Sequence, residues 1–317
     1  MRFFNAITKI SKAAYFVAFM TFLMRAGQFM SLPFLAIYLT REGLFTAGQI
    51  GIILGISGFV LSITGLINGI YVDRNSHRNA LIVALFLSGF CYFGFAFSTH
   101  VFYGLLLLNA ALGWFRSLIE ISVVTMLVQH TKPENLSYAH SARFIGANLG
   151  VVLGPLIGGI MATQQSLLIF FIAGAIHIGL GVTMCFYREM PKTAEAYQSK
   201  APAWGHFREI FKEKILINIM IINLILWTVY AQLDTTIPQY LARTGENPAV
   251  LFSTMMVINA LICIIFQPFI LRWAELTSLR ISAIIGCSMF TIAFLLISIC
   301  PTPIGMIISV AIMRDRK

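Results

Sequence analysis

Nine times along this chain an apolar run of roughly twenty residues or more passes with few charges or none, and roughly twenty is the number an α-helix needs to cross ~30 Å of hydrocarbon. The spans read 15–39, 47–71, 79–98, 102–128, 143–162, 166–187, 215–241, 249–271 and 281–300. In lipid no water is available to backbone N–H and C=O groups, so each run must satisfy them internally, as a helix does. With 58% apolar and 11% charged residues in 317, the composition lies far from soluble norms. The expectation is an all-α polytopic membrane protein.

The formal net charge is +10, but the basic residues sit between spans rather than in an aromatic-interleaved patch, which argues against nucleic acid as a partner. Their placement orients the chain instead. With the N-terminus inside, 18 of the 22 Lys and Arg fall in cytoplasmic segments, Arg143 counted among them. Arg41 and Arg243 lie outside, and Arg25 and Arg116 lie within spans. Arg2, Lys9 and Lys12 ahead of an apolar run resemble a signal peptide, but the run continues without a small-residue cleavage site, so a retained first helix is expected. The five cysteines (Cys91, Cys185, Cys263, Cys287, Cys300) sit in or beside apolar spans without metal-ligand spacing and read as buried thiols. No metal or cofactor is expected. P-loop, GxSxG and zinc spacings are lacking, so an enzyme is not expected and any transport would be ion-driven.

Residues 188–214 form the longest polar segment, with Pro191, Ala201-Pro202 and an amphipathic stretch from Trp204 to Lys214. The segment reads as a linker between a six-helix bundle, 1–187, and a partial second bundle, 215–317, of three full helices and a stub. A polar-containing span opens each half, and Arg272-Trp273-Ala274-Glu275 with Arg280 sits where the 2–3 loop sits in the first half, the weak symmetry of a secondary transporter. The final run, 304–313, has ten residues and reaches only ~15 Å as a helix.

Gly146, Gly150, Gly154 and Gly158 recur at intervals of four, with Pro155 and Gly159 beside them. On a helix they make one strip without side chains, where a second backbone can approach closely, and Pro155 weakens the helix at that height. This pattern resembles the fifth-helix signature of the drug:proton antiporter branch of the major facilitator superfamily. Gly69, Asp73, Arg74 and Arg78 similarly match that superfamily's loop between helices 2 and 3, with Ser76 and His77 in place of its glycine and basic residue. The resemblance implies a twelve-helix fold with a central cavity lined by helices 1, 4, 7 and 10. It also implies a cytoplasmic gating latch at Asp73 and Arg78, with helix 11 among its partners. On that pattern the chain reads as a complete N-terminal six-helix bundle plus an incomplete C-terminal one, truncated after about nine helices.

Charges inside spans are costly and mark candidate sites. They are Arg25 in the first span, Arg116 and Glu120 in the fourth, and Asp234 in the seventh. The fourth span puts Asn109, Gly113, Arg116 and Glu120 on one helix face; the seventh repeats the spacing with Asn223, Trp227, Tyr230 and Asp234; the first adds Gln28. Arg116 and Glu120 are four apart and able to pair. Glu120 is therefore either half of a structural ion pair or a proton-exchanging carboxylate, since burial and a neighbouring guanidinium act on an acid in opposite senses. Asp234 is either a solvated residue near the outer mouth or a cation contact. Arg25 orders water or binds an anionic group. His177 reads as a satisfied core residue. Trp114, Trp227 and Tyr230 offer an aromatic surface for cargo or simply pack.

The expected function is proton-coupled export of small amphipathic or drug-like molecules by a monomer in a bacterial inner membrane, with protons, cargo and lipid as its partners. Two alternatives stand beside it: a transport-incompetent fragment of such a transporter, and a proton-symport importer.

Overall fold

The computed structural model describes residues 11–163, 167–187, 214–244, 247–276 and 279–299, together with Gly305. Among them the chain forms nine helices: α1 (Lys12–Glu42), α2 (Ala47–Arg74), α3 (His77–Ser98), α4 (Phe102–Gln129), α5 (Leu136–Thr163), α6 (Leu168–Phe186), α7 (Lys214–Thr244), α8 (Pro248–Leu276) and α9 (Leu279–Ile299). Helices α1 to α6 and the Pro248–Phe266 part of α8 are long and apolar enough to cross a membrane. The linker short of Lys214, and the final apolar run apart from Gly305, lie outside the described residues.

Helix boundaries follow from local chemistry. The Ser11 hydroxyl accepts from the Ala14 N–H and starts α1, and Gly43 ends it at φ 68°, a left-handed conformation that costs glycine nothing. Thr46 and Gln49 cap α2 reciprocally. Ser76 caps α3 immediately after Asn75 closes α2, so the 2–3 connection is only two residues long. A 3-10 turn at Pro133–Asn135 feeds directly into α5. Two boundaries differ from expectation. α5 begins at Leu136 rather than near 143, which puts Arg143 on its second turn instead of at its start. α8 continues to Leu276, so Arg272 to Glu275 ride on its last turns rather than in a loop. In both cases helical backbone runs on beyond the apolar stretch, because hydropathy reports where lipid is and not where i to i−4 bonding stops.

The tightest interface joins α1 and α5. A Cβ placed on Gly150 would lie 2.5 Å from the Phe22 carbonyl oxygen, one on Gly154 2.6 Å from that of Ala26, and one on Gly158 2.5 Å from that of Met30. Gly146 meets Ala18 in the same way. Four glycines spaced by four thus rest on four carbonyls spaced by four, in parallel register. Only hydrogen at those positions permits that approach, and in lipid such van der Waals closeness is a main source of helix association. The opposite flank of α5 meets α8: Gly159 leaves room for Ser253, whose hydroxyl lies 2.7 Å from the Pro155 carbonyl.

Two apolar cores lie at opposite ends of the helices. One gathers Ala14, Val17, Met20, Val72, Leu81, Leu127 and Met184, from the first turns of α1 and α3 and the last turns of α2, α4 and α6. The other gathers Phe34, Leu39, Ile50, Phe95 and Phe170 at the opposite end, and it takes in Leu233, Ile237 and Leu241 of α7 and Phe252 and Met256 of α8. Among the described residues, the later helices therefore join the first six at the Gly43 end. Cys91 and Cys263 are buried, whereas Cys185 and Cys287 are exposed, a correction to the buried-thiol reading. An apolar span has an outward side as well as an inward one, and hydropathy alone does not say which side a thiol occupies.

Candidate functional site

Between the two cores lies a polar layer. Its centre is Glu120 of α4, each of whose carboxylate oxygens meets a different guanidinium. Arg25 of α1 donates through Nη2 to Oε1 at 2.5 Å, and Arg143 of α5 donates through Nη2 to Oε2. Arg25 is itself oriented by Gln28, whose side-chain oxygen accepts from Nη1 at 2.9 Å. Arg116, one helical turn before Glu120, acts on the same carboxylate through space. The side chains of Arg25, Glu120 and Arg143 are 28%, 37% and 19% exposed, so the cluster is accessible rather than sealed.

Glu120 thus pairs across helices with α1 and α5, in addition to the attraction along α4 from Arg116 that the sequence suggested. The physical reason is the glycine strip. It brings α5 against α1 so closely that Arg143, one turn before Gly146, and Arg25, beside Gly150, converge on one point. Arg143 is the member of this cluster that sequence reasoning missed. Its signal was present: it stands three residues before the first glycine of the strip and so lies on nearly the same helix face.

The remaining polar positions separate by neighbour. Asn109 is buried and donates to the Ile53 carbonyl of α2 at 2.5 Å. Gly113 admits the Ser57 backbone, also of α2. A single stripe on α4 therefore meets α2 near its start and α1 and α5 further on, because crossing helices change partners with height. Trp114 is locked to α2 reciprocally: its indole N–H donates to the Asn68 side-chain oxygen at 3.1 Å, and the Asn68 amide donates to the Trp114 carbonyl at 3.2 Å. His177 is buried; its Nδ1 bonds the Ala173 carbonyl at 2.8 Å, so that nitrogen carries hydrogen, and its ring packs 4.8 Å from Tyr92. That environment suits a satisfied core histidine. Asn223, Trp227, Tyr230 and Asp234 fall on α7, but their side chains lie outside the described residues.

At the 2–3 connection Asp73 and Arg74 are exposed on the last turn of α2, and Gly69 faces open space. Arg78 donates to the Cys185 carbonyl at 2.7 Å, tying the start of α3 to the end of α6. This contact is some distance along the helices from the cluster at Glu120.

Comparison with known proteins places these features in context. Residues 17–314 match the Major Facilitator Superfamily. The MFS-type transporter YqjV of Bacillus subtilis (strain 168) is 25% identical over 279 residues, covering 87% of this chain and 68% of that protein. A Na(+), Li(+), K(+)/H(+) antiporter of Planococcus maritimus is 25% identical over 289 residues, 80% of this chain and 66% of the antiporter. The quinolone resistance protein NorA of Staphylococcus aureus (strain MSSA476) is 26% identical over 242 residues, 74% of this chain and 59% of NorA. The chain thus spans roughly two thirds or less of these relatives. Among solved structures, the nucleoside transporter NupG superposes with a TM-score of 0.72 at 16% identity, over 96% of this chain and 78% of NupG, a likeness of fold alone.

Proposed function

The chain belongs to the major facilitator superfamily, and from that premise we propose that it is a proton-coupled secondary transporter exporting small amphipathic or drug-like molecules by alternating access. The observation that carries this reading is the position of Glu120, held between a guanidinium on α1 and another on α5 in the layer between the two apolar cores. A carboxylate so placed links proton binding to helix position. Ionised, it ties α4 to α1 and α5; protonated, it loses most of that attraction and releases them. Export is supported by the antiporter-like glycine strip of α5 and by relatives named for cation/proton antiport and quinolone resistance.

In this reading residues 1–187 and 215–317 form the two rocking units, joined by the 188–214 linker, and a monomer suffices. With the N-terminus inside a bacterial inner membrane, the apolar contact of α7 and α8 with α1 and α5 closes the outer end, and Glu120 lies on the cytoplasmic side of that contact. Asn223, Trp227, Tyr230 and Asp234 supply the facing wall. Gly69, Asp73, Arg74 and Arg78 form the cytoplasmic gating segment.

One observation favours a second reading, inward movement together with a proton. Three guanidinia surround a single carboxylate, so a proton on Glu120 frees positive charge for an acidic cargo and the two bind together. Both readings are tested by reconstituting the chain in vesicles, imposing a pH gradient and following a fluorescent quinolone together with an internal pH dye. Cargo moving against the proton flow supports export, and movement with it supports symport. Undiminished proton-driven flux after Glu120→Gln removes that residue from the mechanism. No flux by the unaltered chain supports the transport-incompetent reading.

A further inference from the structure

We propose that the guanidinia of Arg25 and Arg143 form a recognition site for an anionic cargo group, a carboxylate in the first place, which takes over from Glu120 on the two arginines. This deepens the second, proton-symport reading, in which a proton on Glu120 frees the arginines for an acidic cargo, and it rests on the cluster being the cargo site.

Three observations carry it. The first is charge. Among the described residues, Arg25, Arg143 and Arg116 act on the one carboxylate of Glu120, an excess of positive charge in a low-dielectric layer. There a cationic group on a cargo meets net repulsion and an anionic one net attraction, and both effects are larger than in water. The second is hydrogen bonding. Each guanidinium carries five N–H donors suited to a planar, two-point grip on a carboxylate. Glu120 takes a single Nη2 from each, so it bridges the two arginines without saturating either. The Nε of Arg143 is buried and meets no acceptor among the described groups, which is the kind of donor that a second carboxylate would satisfy. The third is access, since the arginines and Glu120 retain part of their surface. Glu120 is thus an internal stand-in for the cargo: it holds the site in its charged geometry and competes with any acid that enters.

This competition gives a test whose sign is opposite to that of cation recognition. The purified full chain, in nanodiscs, is titrated by calorimetry with 1-naphthoate, with 1-naphthamide of nearly the same shape, and with 1-naphthylmethylammonium. The expected order is naphthoate about tenfold tighter than the amide, with the ammonium weakest, as for a charge-assisted hydrogen-bond site. Arg143→Gln should bring naphthoate down to the level of the amide, and Arg143→Lys should restore part of the difference. Glu120→Gln should tighten naphthoate several-fold, because it removes the competitor. The proposal is overturned if the amide or ammonium binds as well as naphthoate, if none of the three saturates, or if Glu120→Gln weakens naphthoate. Variants are scored only when monodisperse on size exclusion, and the Lys and Gln pair at Arg143 separates lost charge from lost fold. Binding and flux are read separately: tighter naphthoate in Glu120→Gln together with intact proton-driven flux would uphold the anion site while removing Glu120 from the coupling step.

Discussion

At Glu120, two guanidinia from different helices meet one carboxylate, and Arg116, one turn away on the same helix, adds its own charge to the same group. Breaking a buried pair from one side leaves a charge without compensation, a cost of about 3–5 kcal/mol in well-buried cases and less here, where each partner is partly exposed. Arg143→Ala is therefore expected to impair transport and also lower stability, and Arg143→Lys to recover stability more fully than transport, measured as vesicle flux beside thermal unfolding. Asn109 makes an instructive contrast. Helical spacing groups it with Glu120, yet it donates to the Ile53 carbonyl and is buried against α2. Asn109→Ala should lower stability by about 0.5–1.5 kcal/mol, the net range for an intramolecular hydrogen bond, and leave cargo affinity unchanged. A clear loss of affinity in a binding titration would return Asn109 to the cavity.

At the scale of elements, α5 is the organising helix, and its two flanks do different work. The glycine flank sets the α1 contact: a side chain at Gly150 or Gly154 would strike a backbone carbonyl, which cannot swing aside as a flexible side chain can. Gly150→Val is expected to lower the unfolding midpoint, by an overpacking cost of about 1–3 kcal/mol or more, and to displace Arg25 relative to Arg143. Gly179 of α6, where an added Cβ meets nothing within 4 Å, serves as the control, and Gly179→Ala should be neutral or slightly stabilising in the same thermal scan. Pro155 adds a second effect. It removes one N–H from the helix ladder, and its own carbonyl accepts from Ser253 of α8, so the weakened turn of α5 is also where the later helices attach.

For the molecule as a whole, packing between the first six helices and α7 and α8 concentrates at one end. The Gly159–Ser253 contact lies in that region and is close enough to be tuned. A Cβ on Gly159 would collide with the Ser253 side chain, while the next neighbour, the Ala249 carbonyl oxygen, stands at an ordinary 3.4 Å. Gly159→Ala should therefore slow transport by preventing full closure of that end, and the double variant Gly159→Ala with Ser253→Gly should regain most of the rate. Rescue in vesicle flux measures the coupling between the two sites; a double variant no faster than the single one would place the defect elsewhere.

What the sequence determined by itself was the set of local and periodic properties. Charge-poor runs of near-constant length dictate membrane helices, because backbone groups in lipid must be satisfied within the segment. Ser11, Gly43, Thr46 and Ser76 set helix ends through bonds spanning three or four residues. The fourfold glycine spacing announced a close backbone contact, and the charges at Arg25 and Glu120 announced a polar layer. What only the tertiary structure decided was which groups meet. That α5 lies on α1 rather than on another helix, that Arg143 enters the layer, that Glu120 pairs across helices, and that Asn109 turns to α2 all depend on the angle and height at which helices cross. Those are set by many weak contacts at once. A helical stripe in a sequence records only which residues share a face; the neighbour that face meets is a property of the assembled bundle.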